Sequence, residues 1–378
     1  MRTACILFLA IIIASCGKDE PTSGTPYEPT ERELQIISWL EQQQLPNGLL
    51  ESTENNNFVS TYDQSLAAMC FMLHDDFQRA EAIFDFFEGR RASELNAGVG
   101  GFSQFRDRNG VPGNHRWMGD NAWLLLALNN HKALTGRSDY NALIADLSSW
   151  LISLQDTLDG GLWAGYNADD ELLAYKVTEG NLDAFNAIDG YTDFHVRLMD
   201  FFDTHRWNEA DQALMSWPEN TPYKYAVDCF SWAYCAFPGY PHTTLSGAQR
   251  FINTQSSTLT GASIEGYDID EDRDAIFMEG TGQMAVAWKI SGNSFQYDRF
   301  MAELDKGYVM STLHTDAGGF PYASNPGTAY GSDPYWTGAD TEIAISPGAW
   351  YVFALRGFNP FVLGLNKKIP TEDLFWNP

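Results

Sequence analysis

Basic side chains are scarce in this chain of 378 residues: 23 Lys and Arg stand against 50 Asp and Glu, a formal charge of −27. That sign speaks against nucleic acid or an anionic lipid surface as a partner, because both recruit Lys and Arg. It suits a neutral or cationic ligand, and an acidic shell also keeps a protein dispersed. Cysteine is scarce too. Cys5 and Cys16 lie at the N-terminus, while Cys70, Cys229 and Cys235 sit in apolar helical segments. Six helical residues separate the last two by roughly 9 Å along the axis, too far to bridge, so no disulfide framework is implied. The seven histidines show no tight ligand spacing, and the chain has no Gly-rich phosphate loop, His-Glu-x-x-His or Ser-nucleophile elbow. Neither a metal nor a cofactor is expected. The run Asp268, Asp270, Asp272, Asp274 and Glu279 spaces its acids like an EF-hand loop, but Arg273 stands where that loop needs glycine. It reads as a solvated acidic loop.

Long apolar runs are also few. Ile6 to Ile13 follows Arg2 and is too short to span a bilayer permanently, so it reads as a processing signal. Ile13-Ala14-Ser15-Cys16 resembles a bacterial lipobox in which Cys16 is lipidated after cleavage, and Gly17-Lys18-Asp19-Glu20 resembles the export tag of Bacteroidetes-type surface lipoproteins. The expected organisation is a signal peptide over 1–15, a Pro/Ser/Thr/Gly tether over 16–30 and one folded domain over 31–378. The implied address is the outer membrane or cell surface, with the membrane reached through the lipid on Cys16.

What the chain has in quantity is a recurring phrase: a polar turn with an acid or amide, then an apolar run. Glu179 carries it in Lys176-Val177-Thr178-Glu179-Gly180-Asn181-Leu182, where Thr178 reads as a helix N-cap. Asp63 (behind Tyr62), Asp120, Asp228, Glu279 and the pair Asp340 and Glu342 open the other five copies. From Asp63 to Asp340 the steps are 57, 59, 49, 51 and 61 residues, a degenerate six-fold repeat.

Between these copies lie one-faced amphipathic helices near 31–44, 76–90, 139–154, 193–215, 244–254 and 295–311. The segments opened by the acids are apolar nearly all round, as inner-layer helices are. Twelve helices that alternate in this way close into an all-α barrel, an inner ring of six within an outer ring of six. Inner-to-outer turns are short. Outer-to-inner connections are long and carry Gly100-Gly101-Phe102, Gly160-Gly161-Leu162 and Gly318-Gly319-Phe320, which puts the functional face at their end.

This alternation, with its Gly-Gly-aromatic connections and acids entering the inner helices, resembles the six-hairpin (α/α)6-barrel glycosidase superfamily over roughly residues 31–365. Asp120-Asn121-Ala122-Trp123 is also loosely similar to the Asp-Asp-x-x-Trp pattern of bacterial α-mannanases, with Asn121 in place of the second acid. A ring near 20 Å across faces opposite acids over roughly the 6.5–9.5 Å gap of an inverting pair. The opposite pairs are Asp63 with Asp228, Asp120 with Glu279, and Glu179 with Asp340 or Glu342. The resemblance to glucoamylase-like inverting enzymes implies Glu179 as general acid and Glu342 or Asp340 as base. Tyr62, Asp63, Asp120, Asp228 and Glu279 then bind sugar. So do the aromatics of the long connections, Trp117, Trp163, Tyr166, Tyr335 and Trp336, because sugar rings stack on aromatic planes. The function implied is an inverting glycoside hydrolase on a neutral glycan. Its rivals are a non-catalytic glycan-binding lipoprotein and a polysaccharide lyase using His115-Arg116.

Overall fold

A computed structural model describes residues 27–377 apart from 55, 114, 220–223, 327–328, 331–332, 335–337 and 363–365. The leader, Cys16, Tyr335 and Trp336 lie outside the described residues. Among the described residues twelve α-helices carry the fold: α1 Glu31–Gln43, α2 Thr61–Leu73, α3 Phe77–Glu88, α4 Met118–Thr135, α5 Asn141–Ser153, α6 Thr178–Ala187, α7 Asp193–Phe201, α8 Asp228–Ala236, α9 His242–Gly247, α10 Met278–Ile290, α11 Ser294–Leu304 and α12 Ile345–Arg356. The even-numbered helices pack in sequence, and α12 packs back on α2, so the inner ring is closed. α3, α5, α7, α9 and α11 each lie on the inner helix before them, and α1 covers the seam between α12 and α2.

Composition explains the two layers. Every residue of α10 from Met278 to Trp288 is buried, whereas α3 buries only Ala80, Ile83, Phe84, Phe86 and Phe87. The seam is held by a buried charge cluster. Glu33 of α1, fully buried, lies 2.9 Å from His74 Nε2 and accepts the Arg356 Nε–H at 2.5 Å. Beyond α12 in the chain, Phe361 is buried and packs 5.1 Å from Trp123 and 5.7 Å from Trp232. Trp350 adds a fourth ring 5.9 Å from Trp123. The barrel is therefore floored with aromatics. Cys70, Cys229 and Cys235 are buried free thiols within it.

Three outer helices are shorter than their periodicity predicts. After Phe201 the chain makes one π-helical turn, Phe202–Arg206, and then a hairpin of Trp207–Asn208 against Ala213–Leu214. The 244–254 segment stops at Gly247, and Ile252–Ser256 pairs antiparallel with Ser263–Tyr267, setting Ile252 opposite Tyr267. The 295–311 segment ends at Leu304, before Val309–Met310 pairs with Gly318–Gly319. In the last two cases a strand partner outside the window captures the backbone, and a local period cannot sense that partner; in the first, both strands of the hairpin lie within the window.

Candidate active site

The long connections are tied to the inner ring by one device used repeatedly. Asn121 of α4 accepts the Phe102 N–H at 2.8 Å and donates to the Phe102 carbonyl at 3.0 Å. Asn181 of α6 treats Leu162 in the same way, at 2.7 and 3.4 Å, and Gln64 of α2 does so for Leu50, at 2.8 and 2.9 Å. The glycines ahead of these residues run with positive φ at close quarters. A Cβ on Gly101 would stand 2.5 Å from the Trp150 ring, and one on Gly160 2.2 Å from the Arg197 carbonyl. Asn121 is fully buried in this clamp. The amide that stands where the mannanase-like pattern has its second acid is thus a backbone anchor.

One residue away, on the inward side, the acids gather. A cavity of about 290 Å³ opens at the long-connection end, lined by Asp63, Asp120, Glu179, Asp183, Asp228 and Glu279. Tyr62, Trp117, Trp123 and Trp232 line it too, with Phe58, Phe105 and Tyr322 toward the connections. Acids from five of the six copies of the repeat converge here, together with Tyr62 and Trp117. From α12, the position facing the cavity is filled by Ser346.

Asp340 and Glu342 do not reach the cavity lining. Glu342 Oε2 accepts from Thr53 Oγ1 at 2.8 Å and Asn56 Nδ2 at 3.2 Å, and Asp340 Oδ2 accepts from Thr258 Oγ1 at 2.7 Å. Both staple neighbouring connections, because the chain runs extended through Ile343–Ala344 before α12 begins. Neither acid therefore shares the cavity lining with Glu179. Trp163 lines a second cavity, and Tyr166 sits in a short antiparallel pair opposite Arg116, packed on the core. Thr178 is not the N-cap of α6 either. Val177 holds that place, and the Thr178 hydroxyl donates to the Met215 carbonyl at 2.6 Å.

Asp183, Trp123 and Trp232 escaped the sequence reading, although the signal was there. They follow Glu179, Asp120 and Asp228 by four, three and four residues, so each lies one turn deeper on the same helix face.

Electrostatics follow from burial. Burial lifts the Glu179 carboxyl from its ordinary 4.5 to about 7, and the side chain takes no hydrogen bond from the described residues. Burial likewise raises Asp120 from 3.8 to about 7, against the Tyr62 N–H that bonds its Oδ1 at 3.1 Å. Asp183 goes well above the usual carboxylate range through burial first, then through the charges of Glu179, Asp228 and Asp120. Asp63 and Asp228 are also lifted well above it, chiefly by burial. Glu279 is raised by burial too, with four side-chain donors opposing the rise. Tyr62 Oη donates to it at 2.5 Å while accepting the Trp350 indole N–H at 2.9 Å, and Gln283 adds a bond at 3.1 Å.

Four buried polar atoms of these residues make no well-formed hydrogen bond among the described residues: the indole nitrogens of Trp123 and Trp232, Asp183 Oδ1 and Asp228 Oδ1. The Trp123 indole and the Gln283 amide still oppose the rise of the Asp183 and Asp228 carboxyls. The six carboxyls, set among the aromatic side chains of Tyr62, Trp117, Trp123 and Trp232, form a hydroxyl-binding surface. The acidic loop before α10 is used differently. Ligand oxygens of Asp268, Asp272 and Asp274 lie within 4.8 Å of one another, but their carboxylates accept loop N–H groups, Asp268 from Ile269 and Ala275 and Asp272 from Asp274.

No protein-family model matches the chain, and no curated protein does. Solved structures do. A wild-type glycosidase aligns with a TM-score of 0.62 at 10% identity, covering 87% of this chain and 96% of that one. A variant described as a glycosidase in complex with glucose aligns with a TM-score of 0.59 at the same identity and coverage. The cellobiose 2-epimerase of Spirochaeta thermophila DSM 6192 aligns with a TM-score of 0.56 at 13% identity, covering 86% and 92%. At such identities the likeness is one of fold, and the fold that these proteins and this chain share is the (α/α)6 toroid.

Proposed function

We propose that the protein is a carbohydrate-active enzyme, an inverting glycoside hydrolase acting on a neutral glycan from the central cavity. The observation that carries this reading is the gathering of six carboxyls among aromatic side chains in one open cavity. Carboxyls bind sugar hydroxyls and aromatic planes stack on sugar rings, which is what a neutral glycan requires. The solved neighbours support it, since they include glycosidases and a glycosidase bound to glucose.

Glu179 is the proposed general acid. It is the acid whose carboxyl holds its proton near neutrality without a hydrogen bond from the described residues, which leaves that proton free to pass to a leaving oxygen. With Asp340 and Glu342 engaged elsewhere, the base role moves to Glu279. The Tyr62 hydroxyl and the Gln283 amide both donate to Oε1, which favours the ionised form and leaves Oε2 to take a proton from water. Water then attacks the anomeric carbon as Glu179 protonates the departing oxygen, inverting the centre.

A second reading, a sugar epimerase or isomerase, draws on the neighbours named for those activities. Among the described residues no histidine lines the cavity, so carboxyls would have to move the proton at carbon. Incubation with a panel of neutral and acidic oligosaccharides, followed by NMR of the first product, separates the two readings. Release of a reducing sugar of inverted anomeric configuration supports hydrolysis. A product of unchanged length with an epimerised or isomerised end supports the second. The lipid anchor at Cys16 and the surface address are part of the proposal and rest on the lipobox alone; no described helix is long and apolar enough to cross a membrane.

A further inference from the structure

Beside the central cavity lies a second one of about 310 Å³, lined by Asp156, Leu158, Asp159, Trp163, Tyr175 and Lys176 on one side and by Phe201, Arg206, Trp217 and Glu219 on the other. It is built from the connection entering α6 and from the turn and hairpin that follow α7. Two features mark it as a site. The first is an aromatic path. Trp117, on the wall of the central cavity, lies 6.0 Å from the Tyr175 ring, and Tyr175 stacks on Trp217 at 4.5 Å with planes 24° apart. Tyr175 and Trp217 both line the second cavity and both are half-buried, so the path runs from one cavity into the other. Trp163 adds a further half-buried indole.

The second feature is charge that is present but already matched. Lys176, 7% exposed, bonds Asp156 at 2.7 Å and Asp159 at 2.5 Å and lies 4.1 Å above the Trp163 ring. Arg206, buried still more completely, bonds Glu219 at 2.8 Å, and its buried Nε–H has no partner among the described residues. An anion would find both cations occupied and three carboxylates beside them. A neutral polyhydroxyl ligand finds aromatic faces together with fixed donors and acceptors. Leu158, 92% exposed on the rim, is an apolar contact without a protein partner to cover it.

We infer that the second cavity is a distal sugar-binding subsite, joined to the central cavity by Trp117, Tyr175 and Trp217, and that the substrate is a neutral oligosaccharide long enough to occupy both. This rests on the glycan reading of the central cavity, so the test separates the two. Cello-, manno- and malto-oligosaccharides of two to about six sugars are titrated calorimetrically into protein carrying Glu179→Gln, chosen to slow turnover during the titration. The same titrations are run with Trp217→Ala, Trp217→Phe or Asp183→Asn added.

The expected result is an affinity that rises about tenfold from the shortest to the longest members of one series. Trp217→Ala erases that rise and leaves short-ligand affinity unchanged. Trp217→Phe keeps the aromatic face and most of the rise, so a loss of fold is not mistaken for a loss of contact. Asp183→Asn weakens every length. If Trp217→Ala leaves the rise intact, or weakens all lengths alike, the distal subsite is wrong while the central reading stands on Asp183→Asn. If no member of the panel binds, both fall.

Discussion

Replacing Glu179 by Gln separates a catalytic acid from a structural one through the pH dependence of stability. In the folded protein, burial raises this carboxyl from 4.5 to about 7. Between those values the unfolded chain releases the proton while the folded chain keeps it, so folding stability falls as pH rises through that window and stays low above it. The shift corresponds to about 3 kcal/mol at full expression, a ceiling that solvent at the cavity mouth lowers for a half-buried side chain. Glu179→Gln keeps the shape and removes the titration. The variant is expected to match the wild type at pH 4 and to exceed it by on the order of 1–3 kcal/mol at pH 8, in urea unfolding followed at both pH values. Its turnover should fall on the order of 10²–10⁴-fold, and less for an aryl glycoside whose leaving group needs no proton. A helix-capping role predicts the opposite pair, lower stability with normal turnover, but α6 receives no side-chain cap from Glu179. A stability difference that does not grow between pH 4.5 and 7, or turnover at the wild-type rate, refutes the assignment.

Tyr62→Phe removes the hydroxyl that opposes the rise of the Glu279 carboxyl, so the acidic limb of the pH–rate profile should move to higher pH; a limb that stays in place takes the base role from Glu279. Asn121→Ala strips the Phe102 backbone of both bonds and should cost on the order of 2 kcal/mol of stability, with activity per folded molecule retained, as read from denaturation midpoints beside active-site titration. Loss of activity without loss of stability would restore Asn121 to the chemistry. Glu342→Gln keeps the size of a connection staple outside the cavity lining, and turnover within a few-fold of wild type is expected, whereas a loss on the order of 10²-fold would return it to the base role. Cys16→Ser should release the protein from membranes, checked by fractionation, because a tether without its lipid has no apolar anchor.

The architecture is legible from one dimension because it rests on composition summed over whole helices. A segment such as Met278–Trp288, apolar all round, cannot sit on a surface, and one such as Phe77–Glu88, apolar on one face, cannot sit inside. Six alternations of the two leave a double ring as the closed solution. The repeat also marks where the acids enter, since a helix N-terminus at the long-connection end is a place along the chain. Side-chain direction is another matter. Successive helical residues point about 100° apart, so Asp120 faces the cavity while Asn121, its neighbour, clamps a connection.

Asp340 and Glu342 look like their counterparts in every local respect. They fall outside the cavity lining because the extended segment Ile343–Ala344 separates them from α12, leaving Ser346 at the inward position. Asp183 lies inside because four residues bring it back under Glu179. Likewise, Trp117 and Trp163 belong to one class of loop aromatic until folding sets them on the walls of different cavities. The sequence by itself determined the double ring and the end at which its acids collect, because both depend on sums and order along the chain. Only the tertiary structure decided which carboxyls share a cavity and which staple a loop, because that depends on the rotation of each helix and on partners far away in sequence.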